Sequence, residues 1–356
     1  MNITFYLPGA TNTKSGGYKV IYTYCNLLSN RGNNVTIVYS NHNFRGVRFL
    51  HKVKVFRQIF VYLVFGKRPR WFKLNKNVHV LYAFDGEMDK SIPNADIVIA
   101  TAVDTAEEVL RLPISKGKKC YFVQGHEEWA KGEQYAINSY KLPLNIITIS
   151  NYLSSIISKY AQKEPVVIKN GIEHDMFYLV NNIRSRDKYT VSMLYHTLEI
   201  KGSRYGIEAL QLLKEDYPQL CVQIFGTCDR PQDLPEWMKY KKNANYEELN
   251  RIYNSSAIFL SPVIREGFGL TGAESMACGC CLVSSDFDAV HEYAVNNHNC
   301  LLSPVKDSYS LYYNMKKCIE EDDLRYRLAE NGRNDVKKLN WEDSVNQLSE
   351  FLKGLV

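Results

Sequence analysis

Hydrophobic residues in this chain fall into short runs of Val, Ile, Leu, Phe and Tyr, separated by stretches in which apolar positions recur every third or fourth residue. The runs suit buried strands and the longer stretches suit amphipathic helices, so the pattern predicts repeated βα units and parallel sheets. In the first half strands are predicted at 3–7, 35–39, 78–82, 97–101, 119–124, 146–150 and 166–169. In the second half they are predicted at 190–196, 221–226, 257–262, 281–285 and 299–304. Each half then forms its own doubly wound α/β sheet. A turn-like Asn170-Gly171 followed by polar residues up to Lys188 marks the expected boundary. The division expected is a first Rossmann-like domain at 1–172, a second at 173–338, and a C-terminal helix at 339–356 that packs back on the first. Ligands of open α/β sheets bind beyond the carboxyl ends of the strands, so two such sheets facing each other create a cleft between them.

Length supports two cores, because 356 residues exceed what one hydrophobic core usually fills. The composition, 45% hydrophobic and 23% charged, is that of an ordinary globular protein. A formal charge of +6 falls well short of a dedicated nucleic-acid binder, so nucleic acid is not an expected partner. The first ten residues run from apolar positions directly into Pro8-Gly9 without a basic leader and read as a strand. No apolar run approaches the roughly 20 residues that span a bilayer. Nine Cys, scattered and odd in number, suit a reducing compartment. A cytoplasmic protein is therefore expected.

The most informative stretch is Ser261 to Gly279, SPVIREGFGLTGAESMACG. A strand ends at Ser261-Pro262, a Gly-punctuated loop carries Glu266, and a helix begins near Gly269 with Glu274 in its early turns. Gly267 and Gly269 allow close backbone approach, and the helix N-terminus offers N–H donors to hydroxyl or phosphate oxygens. Each carboxylate can accept two hydrogen bonds from a vicinal diol, so Glu266 and Glu274 can hold two parts of an elongated ligand. This stretch resembles the donor-binding signature of the large retaining GT-B glycosyltransferase family of bacterial mannosyl-, glucosyl- and rhamnosyltransferases (glycosyltransferase family 4-like). The resemblance covers essentially the whole chain and is densest from Lys201 to Pro304. It implies that Glu266 holds the transferred sugar, that the backbone of Gly267, Phe268, Gly269 and Leu270 holds sugar and diphosphate, and that Glu274 holds the nucleotide ribose.

Lys201-Gly202 follows the strand at 190–196 and opens a helix, where a cation can reach a leaving diphosphate. The family usually has an Arg five residues earlier; here that position is His196, which leaves most of the charge compensation to Lys201. Ser15-Gly16-Gly17 lies between the first strand and the first helix, a place for small residues and amides facing phosphate or acceptor. Gly-x-Gly-x-x-Gly is missing there, which disfavours a nicotinamide site. In Gln124-Gly125-His126-Glu127-Glu128-Trp129, His126 matches the family's sugar-contacting His; Ser150 and Asn170-Gly171 match turns with mainly structural roles. Cys278, Cys280 and Cys281 fit no zinc spacing, and neither metal nor cofactor is expected.

The implied donor is a UDP-, GDP- or dTDP-sugar bound by the second domain and the implied acceptor a glycan or lipid-linked acceptor bound by the first, joined with retention by front-face substitution. A catalytically silent GT-B partner protein is the competing possibility, and His196 in the usual Arg position is what sustains it. Finally, segment 44–73 carries Arg45, Arg48, Lys52, Lys54, Arg57, Lys67, Arg68, Arg70 and Lys73 without a carboxylate, interleaved with Phe49, Val53, Phe56, Phe60 and Val64 and followed by Trp71 and Phe72. Such a basic-apolar stretch is expected to dock peripherally on the anionic inner face of the cell membrane.

Overall fold

A computed structural model describes residues 1–11, 14–40, 68–83, 90 and 92–356. The chain divides into two compact units. One comprises Met1–Lys169 with Ser344–Val356, and the other Asn170–Asp343. The crossing points differ from the expected boundaries for a local reason. Ile172 N–H donates to Leu339 O at 2.9 Å and Ile172 bridges Asn340 in parallel, so the outgoing and returning segments are tied together within the second unit.

The first unit holds a parallel sheet of seven strands: β1 Asn2–Leu7, β2 Asn34–Tyr39, β3 His79–Tyr82, β4 Ile97–Ala100, β5 Lys118–Val123, β6 Asn145–Thr148 and β7 Val166–Val167. Their order is β3-β2-β1-β4-β5-β6-β7. Strands such as β1 and β4 are buried along almost their full length, as strands covered on both faces must be. The helices are α1 Gly16–Asn30, α2 Val103–Arg111, the short α3 Glu128–Lys131, α4 Glu133–Tyr140 and α5 Asn151–Ile157. Val20, Ile21, Tyr24, Cys25 and Leu28 recur at helical spacing and form the buried face of α1. Ser150 caps α5 by accepting the Leu153 N–H at 3.2 Å, the structural role expected of it.

The second unit holds six parallel strands: β8 Thr190–Leu194, β9 Cys221–Gly226, β10 Met238–Lys242, β11 Ile258–Ser261, β12 Cys281–Ser285 and β13 Cys300–Ser303. Their order is β10-β9-β8-β11-β12-β13. Around them lie α6 Ser203–Asp216, α7 Tyr246–Ser255, α8 Leu270–Ala277, α9 Ser308–Glu320 and α10 Asp322–Val336. The final helix, α11 Trp341–Lys353, begins in this unit, and from Ser344 onward its residues belong to the first. In each sheet the strand order reverses once, at β1/β4 and at β8/β11, and such a switch point is where the loops part to admit a ligand.

Every strand expected from the hydrophobic pattern is present, and β10 is an addition. Its sequence, MKYKK, hides the strand behind lysines, which suits an exposed sheet edge. Of the basic segment 44–73, residues 44–67 lie outside the described residues. The remainder is partly turned inward. Arg68 donates to the carbonyls of Asn75 at 2.9 Å and Val78 at 2.7 Å, while the rings of Trp71 and Phe72 pack on Tyr22. No helix among the described residues is long and apolar enough to cross a membrane.

Candidate functional site

Lys201 and Glu266 are 65 residues apart in sequence, yet their side chains form an ion pair, Nζ to Oε1. The sheet brings them together, because β8 and β11 are neighbours, with Val191 opposite Ile258 and Met193 opposite Leu260. The loops leaving those two strands therefore start side by side at the switch point. They are then stitched together: Ile200 O accepts N–H bonds from Ile264 at 2.9 Å and Arg265 at 3.1 Å. Between them sits Gly202, with a left-handed backbone at φ 65° that also closes the turn Glu199–Lys201. A Cβ there would lie 1.8 Å from the carbonyl oxygen of Pro262. Only glycine allows this approach, so Gly202 sets the position of Lys201 relative to Glu266.

His196 completes this cluster. Its backbone N–H donates to Ser203 Oγ, and Ser203 Oγ donates to His196 O, both at 2.9 Å. The ring Nδ1 lies 3.0 Å from the Leu198 N–H and accepts from it, which leaves Nε2 to carry the proton of the neutral ring. Partial burial, then the Lys201 charge, lower its pKa, outweighing the opposite pull of Glu266. His196 is thus a neutral donor at physiological pH, and the fixed positive charge of the cluster rests on Lys201.

The loop after Glu266 leads into α8. Phe268 is buried against the Tyr293 ring, so from this residue the backbone, not the side chain, faces outward interactions. Gly269 is left-handed at φ 91°, and a Cβ there would meet Phe287 and the Tyr293 hydroxyl at 2.8 Å. Tyr293 donates to Gly269 O at 2.9 Å and so fixes the loop from below. Leu270 opens α8, whose first N–H groups have no partner within the helix. Glu274 is almost wholly buried on α8 near Tyr253; burial and then that carboxylate push the Tyr253 hydroxyl well above its ordinary range. Arg186 anchors the far end of α8, donating to Cys278 O at 2.5 Å and to Ser256 O at 2.9 Å. The thiols in this region diverge: Cys278 points to Asn250 Oδ1, Cys280 to Tyr253 O, and Cys281 to Cys318. Among the described residues, no three His, Cys, Asp or Glu side chains gather as a metal site would require.

In the first unit, Gly16 has open space where a side chain would be, and Gly17 faces the amide of Gln124 at 3.6 Å. The buried oxygen of Gln124 has no hydrogen-bond partner among the described residues. His126 is less accessible than its loop position suggested. Its side chain is 7% exposed, with Nδ1 3.1 Å from the Tyr140 hydroxyl and Nε2 3.8 Å from Glu128. Beside it, Glu127 accepts the Val103 N–H at 2.6 Å and caps α2. Burial raises its pKa to about 7, against the stabilising Val103 bond and with help from Asp104.

Ser203, Tyr293 and Glu127 were not singled out from sequence. Ser203 adjoins Lys201-Gly202 and was within reach of a motif argument. Tyr293 had no such signal, because it supports Gly269 from 24 positions away.

Residues 180–335 match the family model of glycosyl transferases group 1. The matched stretch lies within the second unit, Asn170–Asp343. The capsular polysaccharide biosynthesis glycosyltransferase CapM of Staphylococcus aureus is 20% identical over 75% of this chain and 77% of its own length. The N,N'-diacetylbacillosaminyl-diphospho-undecaprenol alpha-1,3-N-acetylgalactosaminyltransferase of Campylobacter jejuni is 30% identical, over 46% of this chain and 44% of its own. Among solved structures, Anabaena Alr3699/HepE in complex with UDP and glucose superposes over the full length of both chains with a TM-score of 0.72 at 14% identity. That likeness establishes the GT-B architecture expected from the sequence, with a Rossmann-like sheet in each unit. Lys201, Glu266 and Glu274 all lie inside the stretch that matches the family model.

Proposed function

We propose that this protein is a retaining, metal-independent glycosyltransferase that moves a hexose or deoxyhexose from a nucleotide sugar to a glycan or lipid-linked acceptor in cell-surface polysaccharide or glycoconjugate synthesis. The observation that carries the proposal is the Lys201–Glu266 pair at the β8/β11 switch point, inside a glycosyl transferase group 1 domain. Relatives named for capsular polysaccharide synthesis and for transfer to an undecaprenol-linked acceptor support the same process. A structural neighbour solved with UDP and glucose supports a uridine nucleotide as donor carrier.

Transfer requires departure of a nucleoside diphosphate, so negative charge grows on phosphate as positive charge grows at the anomeric carbon. In this scheme Lys201 turns from Glu266 to the phosphates, and His196 and the first amides of α8 donate to the same oxygens. Glu266, released, accepts the hydroxyls of the transferred sugar. Glu274 holds the ribose, and Gly16, Gly17 and His126 belong to the acceptor-binding unit. Fixed donors aimed at developing charge contribute several kcal/mol without a bound cation. Retention follows from attack on the face the diphosphate leaves, with a leaving phosphate oxygen taking the acceptor proton.

The test is a thermal-shift panel of UDP-, GDP- and dTDP-sugars followed by turnover to free nucleoside diphosphate, with and without EDTA. One donor class at a hundredfold excess over its Kd should stabilise the protein by about 2.7 kcal/mol. Turnover should survive chelation. Stabilisation by a donor with no turnover in the presence of candidate acceptors would favour a silent partner protein instead.

A further inference from the structure

A cavity of about 680 Å³ opens on the second unit between β10 and α7, within the roughly 300–1,000 Å³ that small-molecule sites occupy. Lys239 and Lys241 line it from the strand, Glu248 and Arg251 from the helix, and Gln223 from the neighbouring strand β9. It shares no residue with the cluster of His196, Lys201, Glu266 and Glu274.

Strand geometry brings the cations together. Alternate residues of a strand share a face, so Lys239 and Lys241 both reach the cavity, while Tyr240 between them donates to Cys228 O at 2.9 Å. Lys242 pairs with Asp229 at 2.6 Å, outside the cavity. Protecting a sheet edge asks only for charge along the strand, and does not account for Arg251, which arrives from α7. Lys241 is paired with Glu248 at 2.5 Å, and that bond, then the Asn245 N–H, holds the carboxyl below its ordinary range. The side chains of Lys239 and Arg251 make no hydrogen bond or ion pair among the described residues. Three cations thus line the cavity against one carboxylate, which is already committed to Lys241.

The walls are fixed by bonds of their own. Gln223 Nε2 donates to Ser255 Oγ at 2.9 Å, Val180 N–H donates to Asn254 Oδ1 at 2.7 Å, and Asn254 Nδ2 donates to Asn250 Oδ1 at 2.8 Å. A ligand therefore has only the long basic side chains left to order, which lowers the cost of binding.

The lining selects the chemistry of that ligand. An apolar molecule would strip water from unpaired charges, and a metal ion would be repelled. A carboxylate offers a single negative charge. A phosphate monoester offers close to two at neutral pH, on oxygens that match a guanidinium fork and an ammonium group together. We infer that this cavity binds a phosphate monoester, with Arg251 and Lys239 on the phosphate and Lys241 beside them. Soluble compounds and lipid headgroups both carry such a phosphate, and the site reads the group they share.

The test uses the full chain carrying Lys201→Ala, so that phosphate held at the charged cluster does not contribute, and it reads binding, not turnover. Isothermal titration is recorded with inorganic phosphate and with glycerol phosphate. Adding Lys239→Gln and Arg251→Gln together should weaken the binding at least about tenfold, because each change removes a charge-assisted hydrogen bond. Lys242→Gln removes the same charge from the same strand outside the cavity and should leave binding within about twofold. Melting curves check that each variant folds. Flotation with phosphatidylcholine vesicles, with and without phosphatidic acid, separates the two sources. Flotation that needs both phosphatidic acid and the two side chains assigns the phosphate to a lipid; titration without flotation assigns it to a soluble compound. The site is overturned if neither soluble phosphate binds and no vesicle floats the protein, if Lys239→Gln with Arg251→Gln changes nothing, or if Lys242→Gln costs as much.

Discussion

The two units carry different kinds of group in loops that leave the carboxyl ends of their strands. In the second, charge dominates: Lys201 is paired with Glu266, and a neutral His196 stands beside them. In the loop after β5 of the first, His126 is turned against Tyr140 and Glu127 onto the α2 N-terminus, while the Trp129 ring is exposed. Charge suits a ligand that must be split with separation of charge. An aromatic plane suits one that must only be held. The same βα architecture can thus carry either kind of group, and the residue types in the loops decide which.

The sharpest way to break this contrast is to remove the charge. Lys201→Ala and Glu266→Ala should each lower turnover to nucleoside diphosphate by on the order of a hundredfold or more, with melting curves little changed. If either kept more than half of the wild-type rate, the charged cluster would not be the reacting site. A smaller effect, on the scaffold, is expected from Gly202→Ala. Its Cβ meets the Pro262 carbonyl in a left-handed turn, so stability should fall by about 2–4 kcal/mol, read from urea denaturation. An unchanged midpoint would show that the turn relaxes freely.

The smallest effect sharpens the first unit's side. The Glu127 pKa is raised to about 7 from a reference of 4.5, so the fold favours the protonated form. Its ionisation penalty is absent below pH about 4.5, grows as pH rises, and is complete above about 7. Wild-type stability should therefore decline across that window by on the order of 2–3 kcal/mol relative to Glu127→Gln, which keeps an acceptor for Val103 without the charge. Parallel pH profiles for the two proteins would place Glu127 in water.

Strands were legible because parallel strands covered on both faces are written as unbroken apolar runs, as in Ile97–Ala100 and Cys281–Ser285. At the sheet edge the same logic failed, since β10 must stay polar to remain soluble. The separate motifs around Lys201 and Glu266 could be read locally, but their meeting depends on β8 lying next to β11, a fact of strand order that no window of sequence contains. The burial of His126 escaped for a related reason: Tyr140, which covers it, arrives from a different helix.

The return of Ser344–Val356 to the first unit orders events in time. Val345, Leu348 and Leu352 are fully buried, and Ser344 Oγ donates to Lys169 O at 2.7 Å, so these residues are part of the core they rejoin. During synthesis the first unit is made first, yet its core cannot close until residues 344–356 emerge. The second unit, continuous from 170 to 343, has all of its strands earlier. At ribosomal rates of about 5–20 residues per second, the first sheet waits on the order of ten seconds or more with an unfilled face. The later-made unit is thus the first able to finish folding, and a chain shortened at its C-terminus would lose the first unit before the second.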